Sequence, residues 1–248
     1  MTRCAAGLLL AILCGGPAMA EGSYGFETDV STRYVFRGLA YSRGGVNQSR
    51  VWGRTSGFTL YGWGNVVLSS QPLQERLDEV DVGVSYAHQA KGLLLEPGID
   101  VYLYRGQPPF DVPSTGEVSL KLSHPMGRAG LFTRQVVDVH RYRGAYFGEA
   151  GASCERGLGR RARLAASVSI GWASAGFNAA YFKVRKPALD LVAAELSLSY
   201  AASDRLELRP HLTLTRIVDG ELARAVATPN QASFGLAVAF RAGARGGR

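Results

Sequence analysis

Asp138 and His140 stand two apart in the run DVH, so on a strand they would share one face, where a carboxylate can orient an imidazole for proton transfer. That chemistry would belong to a hydrolase. No second acidic pair accompanies them, and the spacing is common by chance, so a hydrolase is the weakest reading of the chain. His211, beside Thr213 on one face, reads as hydrogen-bonded structure. The four histidines and Cys154 lack ligand spacing, so no metal and no cofactor are expected.

The remaining chemistry is electrostatic. In STRYVFRGLAYS, Ser31 to Ser42, Arg33 and Arg37 flank Tyr34-Val35-Phe36, which otherwise reads as the centre of a buried strand. Burying a guanidinium without a partner is strongly unfavourable. Every second residue from Tyr24 gives an aromatic and β-branched set: Phe26, Thr28, Val30, Thr32, Tyr34, Phe36. The alternate set, Gly25, Glu27, Asp29, Ser31, Arg33, Val35, Arg37, carries charges of both signs. A strand between lipid and a polar lumen wants that arrangement. The same phase assigns Glu27, Asp29, Arg33, Arg37, Glu79, Asp81, Glu117, Lys121, Arg134, Glu195, Glu207 and Arg209 to the lumen, with Tyr34, Phe36, Val80, Val82 and Val118 toward lipid. Acids outnumber bases in that set, so a mild preference for cations is expected.

The elements that must position these residues repeat the two-residue period. Val80, Val82, Val84 and Tyr86 oppose Glu79, Asp81, Gly83 and Ser85; Val118, Leu120 and Leu122 oppose Glu117, Ser119 and Lys121. Leu206, Leu208, Leu212 and Leu214 oppose Glu207, Arg209, His211 and Thr213. With less regular runs near 46–55, 93–104, 131–139 and 145–154, about twelve strands fit the length. In 46–55, Arg50 and Arg54 share a face with Val46 and Trp52, and the alternation leaves the phase open. Connections alternate between short (TSG, HQAKG, HPMGRAG, ERGLGRR, AASD) and longer (SQPLQERL, RGQPPFDVPS, ASAGFNAAYFKVRKPA, RIVDGELARAVATPNQ). The expected fold is all-β, a transmembrane antiparallel up-and-down β-barrel of about 12 strands. A soluble β-sandwich competes, but mid-strand charges, long strands and aromatic residues near strand ends disfavour it.

The N-terminus sets the compartment. Arg3, the apolar AAGLLLAIL and the pattern Ala18-Met19-Ala20 predict a signal peptide over 1–20 with cleavage before Glu21, leaving one barrel domain over 21–248. A lipoprotein signal at Cys14 is disfavoured because Leu13 precedes it. Of three cysteines only Cys154 then remains, so no internal disulfide is expected, and this cysteine reads as packing. The formal net charge is +8. Its basic pieces, RGLGRRAR, KVRKP and RAGARGGR, read as separate turn and terminus clusters rather than a nucleic-acid surface.

STRYVFRGLAYS resembles the opening signature of the TorF porin family, T-x-x-Y-V-F-R-G followed by a small polar loop. GFTLYGWGN, with Trp63 and Asn65, is similar to that family's second landmark. EVDVGVSY (Glu79, Asp81, Tyr86) is similar to its E-x-D…Y strand, and GIDVYLY (Gly98, Tyr102, Tyr104) to the strand that follows. STGEVSL places Glu117 where the family carries a glutamate. The resemblance covers the first half of the mature chain; beyond Ser123 only barrel texture continues. RGQPP departs from the family's direct Pro-Gly turn, and the chain runs past Phe240 where such barrels commonly end. The resemblance implies a cell outer membrane location in a Gram-negative cell more firmly than any solute. The expected function is a porin for passive passage of small solutes or ions, and no enzyme. The alternative is a plugged structural or adhesive barrel. Expected partners are outer-membrane lipid and lipopolysaccharide, the barrel assembly machinery during biogenesis, and small solutes or ions; nucleic acid is not expected.

Overall fold

The two-residue alternation is realised as long antiparallel strands joined edge to edge. A computed structural model describes residues 22–42, 44–68, 79–104 and 113–243. The expected signal peptide, all of SQPLQERL, most of RGQPPFDVPS, and the tail after Gly243 lie outside the described residues. In chain order the strands begin with β1 (Ser23–Ser31), β2 (Val35–Phe36), β3 (Leu39–Ala40), β4 (Val46–Thr55) and β5 (Phe58–Val67). β6 (Glu79–Tyr86), β7 (His88–Ala90), β8 (Leu93–Tyr104), β9 (Thr115–Met126) and β10 (Ala129–Asp138) follow. β11 (Tyr146–Leu158), β12 (Ala162–Ala173), β13 (Ala188–Ala201), β14 (Leu206–Ile217) and β15 (Asn230–Gly243) complete the set.

Twelve of these close into a barrel. Each long strand pairs with its sequence neighbours, β6 joins β8, and β1 returns to β15 with Ser23 opposite Gly243 and Ser31 opposite Gly235. β7 only prolongs the β8 edge, and β2–β3 form a separate two-stranded unit. Closure leaves no unpaired sheet edge, which an apolar solvent could not satisfy.

The distribution of side chains is the inverse of a soluble core. Phe234 and Val168 on the outer face are 57% and 59% exposed, whereas Glu79 and Glu117 on the inner face are each 2% exposed. A soluble sandwich would bury the first pair and hydrate the second. Val80 and Val118 lie on the exposed apolar face, as their phase requires.

The two ends differ. Short turns such as Ser56-Gly57 and Lys91-Gly92, with positive φ at both residues, sit at the end that also carries Ser23 and Gly243. The other end carries the described connections 174–187 and 218–229, with two short helices, α1 (Ala175–Tyr181) and α2 (Gly220–Ala225). Ser174 caps α1 by accepting from the Phe177 amide, and Asp219 caps α2 by accepting from Glu221 and Leu222. Phe147, Phe177, Leu191, Ile217 and Leu222 form an apolar cluster at this end of the wall. Lys186 Nζ lies 2.8 Å from Asp219 Oδ2 and joins the two helical loops. The hydrogen bond from Lys186 holds the Asp219 carboxyl below its usual range.

Two expectations are corrected. The first strand ends at Ser31 rather than running through Phe36, because the chain turns away from the sheet there. Cys154 is exposed on the outer face of β11, opposite Ala166, and does not fill a core.

Candidate functional site

The signature STRYVFRGLAYS does not stay in the barrel wall. After Ser31 the chain forms a hairpin in which Val35 pairs with Ala40 and Phe36 with Leu39. Arg37 (φ 49) and Gly38 (φ 85) form its tip, the pair of positive φ values that a two-residue hairpin turn needs. Glycine is required twice over at position 38, since a Cβ there would run into Ile217 Cδ1 on β14. Residues of the hairpin touch much of the ring: Tyr34 meets Glu79 on β6, Arg37 meets Glu117 on β9, and Arg33 donates to Gln231 on β15. It therefore folds across the lumen.

This overturns the assignment of Tyr34 and Phe36 to lipid. Tyr34 is buried against Val46 and Val67, with ring centroids 5.5 Å from Tyr41 and 5.6 Å from Trp63. Its hydroxyl donates to Glu79 Oε2 at 2.9 Å. Phe36 lies 6.2 Å from Tyr102. The apolar face read as lipid-facing packs the hairpin against the inner wall instead.

The tip is fixed by one bidentate pair. Arg37 Nη1 and Nη2 donate to Glu117 Oε1 and Oε2, each at 2.7 Å, with both side chains almost fully buried. Tyr102 Oη donates a third hydrogen bond to Glu117 at 2.7 Å. The guanidinium carbon sits 4.5 Å from the Phe36 ring centroid and 4.9 Å from that of Phe147. Fork geometry and aromatic faces are what arginine, unlike lysine, can use together.

Beside the hairpin lies a cavity of about 590 Å³. Arg33, Arg50, Arg54, Lys121 and Arg134 line it, against Asp81, Glu96 and Asp100. The acids are largely engaged. Asp100 meets Arg134 at 3.2 Å and accepts from the Tyr61 hydroxyl, and Glu96 meets Lys121 at 3.5 Å. Arg50 lies over the Tyr61 ring at 4.3 Å, Arg54 Nε donates to Thr59 at 3.1 Å, and neither forms an ion pair among the described residues. Elsewhere on the inner wall Glu27 meets Arg209 at 2.7 Å and Asp29 meets His211 at 2.5 Å. Glu207 accepts from Ser199 at 3.2 Å and stands 3.6 Å from Arg241, while Glu195 faces inward opposite Ser167 and Thr213. Asp81 sits beside Glu79, and its buried Oδ1 has no hydrogen-bond partner among the described residues.

The wall of this cavity is thus net basic, although over all the inward-facing residues named here carboxylates still outnumber Lys and Arg. Arg50 and Arg54, not assigned to the lumen from the sequence, add to its basic charge, since the register places them inward opposite Trp63 and Thr59. A signal for them was present: both charges of β4 fall on one face, and the inward Val46 belongs to the hairpin's apolar contact. Asp100, Glu149 and Tyr61 were also unassigned. Glu149 lines a smaller cavity of about 200 Å³ at the hairpin tip.

The hydrolase pair is taken apart by the same geometry. Asp138 Oδ2 accepts from Thr115 Oγ1 at 2.5 Å, and Oδ1 accepts from the backbone amides of His140 and Tyr142, each at 2.9 Å. The carboxylate closes the β10/β11 connection, and the His140 side chain lies exposed. Among the described residues no three His, Cys, Asp or Glu side chains are grouped to hold a metal ion.

No family model and no curated protein matches the chain. Among solved structures it is similar to the NanC porin at 12% identity, with a TM-score of 0.57 over 87% of this chain and 98% of that one. It is also similar to the KdgM porin solved with disordered oligogalacturonate, at 10% identity and a TM-score of 0.53, covering 88% of this chain and 98% of that one. At these identities the likeness is one of fold: a closed antiparallel barrel of twelve strands. The TorF resemblance stays with the sequence signature.

Proposed function

We propose that the chain is an outer-membrane channel for passive passage of small solutes, with a lumen narrowed by the β2–β3 hairpin and a preference for anions. One observation carries the reading: a polar, net-basic cavity is enclosed by a barrel whose outer surface is apolar. The porin fold of its structural neighbours supports it. Within this reading residues 1–20 direct export, the long connections face outward toward lipopolysaccharide, and the assembly machinery inserts the barrel. Single charges count in such a bore, because a permeating ion passes close to them through a dielectric below that of bulk water. Reversal potentials in a potassium chloride gradient test the preference. Wild type is expected to be anion-selective, and Arg50→Gln with Arg54→Gln to shift the potential toward cations. A cation-selective wild type would refute the charge assignment while leaving conduction in place.

The buried Arg37–Glu117 latch favours a second reading, a structural barrel plugged by its own hairpin. Conductance separates the two.

A further inference from the structure

Away from the lumen, the turns β9/β10, β11/β12 and β13/β14 lie side by side at the short-turn end. The Glu155 amide donates to the Arg128 carbonyl and the Ala201 amide to the Arg161 carbonyl, each at 2.8 Å. This sector presents Arg128, Arg156, Arg160, Arg161, Arg163 and Arg205, all exposed. Arg163 meets Glu155 at 3.3 Å, but both side chains are about half exposed, so solvent screens the pair. Among the described residues no carboxylate forms an ion pair with Arg128, Arg156, Arg160 or Arg161. The other short turns are poorer in charge: Ser56-Gly57 carries none, and Lys91-Gly92 offers Lys91.

Arg156 identifies the partner. It pairs with Leu164 across β11–β12, so it shares the outer, apolar face with Leu158, which is 47% exposed. A guanidinium on the lipid face is costly at the bilayer midplane and nearly neutral at the interface, where it reaches headgroups. Its position thus sets the polar boundary of the bilayer at this end of β11. Arg160 and Arg161 lie beyond it in the turn, at headgroup level or just past it.

We propose that this sector binds the headgroups of anionic phospholipids in the leaflet that the short turns face. A phosphodiester can accept two parallel N–H bonds from one guanidinium, and neighbouring arginines add to the attraction of a negatively charged surface. An anionic polymer or an acidic protein would engage the turns Arg160 and Arg161 without needing a guanidinium on the lipid face. Arg156 favours the lipid.

The proposal rests on the membrane reading and can fail separately from it. The folded, full-length mature barrel in a neutral detergent would be mixed with phosphatidylglycerol or phosphatidylcholine, and the retained lipid counted by native mass spectrometry. Preferential retention of phosphatidylglycerol is expected, falling roughly fivefold for each arginine removed in the series R156Q, R156Q/R160Q, R156Q/R160Q/R161Q. K91Q, in the β7/β8 turn two turns away from Arg156, should leave it unchanged. All of these positions are exposed, and gel mobility before and after boiling verifies the fold of each variant. Equal retention of the two lipids, or a triple variant that keeps the preference, would overturn the inference and leave the barrel in its membrane. Displacement of the lipid by inorganic phosphate or polyglutamate at comparable concentration would also overturn it, marking a general anion surface. Retention of neither lipid would likewise overturn this inference, while loss of the boiling-dependent gel shift in wild type would overturn the membrane reading.

Discussion

Glu117 is the residue on which the arrangement of the lumen turns. It receives both N–H groups of Arg37 and the hydroxyl of Tyr102 in a place with little access to water. Glu117→Gln keeps the shape, removes the countercharge and leaves Arg37 buried alone. Breaking one side of a buried pair costs about 3–5 kcal/mol, enough to loosen the hairpin tip, whose other polar anchors lie nearer its base at Arg33 and Tyr34. Single-channel recordings of Glu117→Gln should therefore show larger or noisier open levels than wild type, with the boiling-dependent gel shift unchanged. Arg37→Lys should lie between, since it keeps the charge and loses the fork. An Asp138→Asn variant should alter the order of the 139–145 connection and unmask no hydrolytic activity to lose. At this scale much was legible: charge alternation alone put Arg33, Arg37, Glu79, Asp81 and Glu117 on one side of the chain. What alternation could not supply was partners. The Arg37–Glu117 pair joins residues eighty positions apart, and nothing local in the sequence selects Glu117 over Glu27.

Among the elements, the β2–β3 hairpin was the one misread, and for a physical reason. Tyr34 and Phe36 carry on the period of β1, so a strand to lipid and a strand folded inward give the same pattern. Arg37-Gly38 was the discriminating signal, because a glycine after a polar residue between apolar ones can form a tight turn. The twelve long strands were readable because each has an apolar outer face and a largely polar inner one, which imposes a period of two. β4 was ambiguous where this rule lapses: near the hairpin the inner wall is itself apolar, so Val46 points inward. The helical loops at the same end carry a pH dependence of their own. Lys186 holds the folded-state pKa of Asp219 below its free value, so the stabilisation is fully present above the ordinary carboxylate pKa of about 3.9 and is lost as pH falls through the folded value. Hydrogen-exchange protection in α2, taken relative to the intrinsic exchange rate, should thus fall under acid, and Asp219→Asn should show the lower protection already at neutral pH with little further change on acidification. Equal acid sensitivity in both would place the cause elsewhere.

For the molecule as a whole, closure and bore follow from strand number. Eight strands leave an interior filled by side chains and sixteen leave an open channel, so twelve strands leave room that one inward segment can largely occupy. Here Ser31 and Val46, the residues on either side of the hairpin connection, are direct cross-strand partners. A two-residue Asn-Gly turn can join them, removing residues 32–45 without disturbing the ladder. Planar-bilayer recording of wild type beside this shortened chain is the most direct test. The account predicts discrete, small conductance steps for folded wild type and steps several times larger for the shortened barrel. Folded wild type that carries no current, beside a shortened barrel that does, would contradict it and establish a plugged structural barrel in its place.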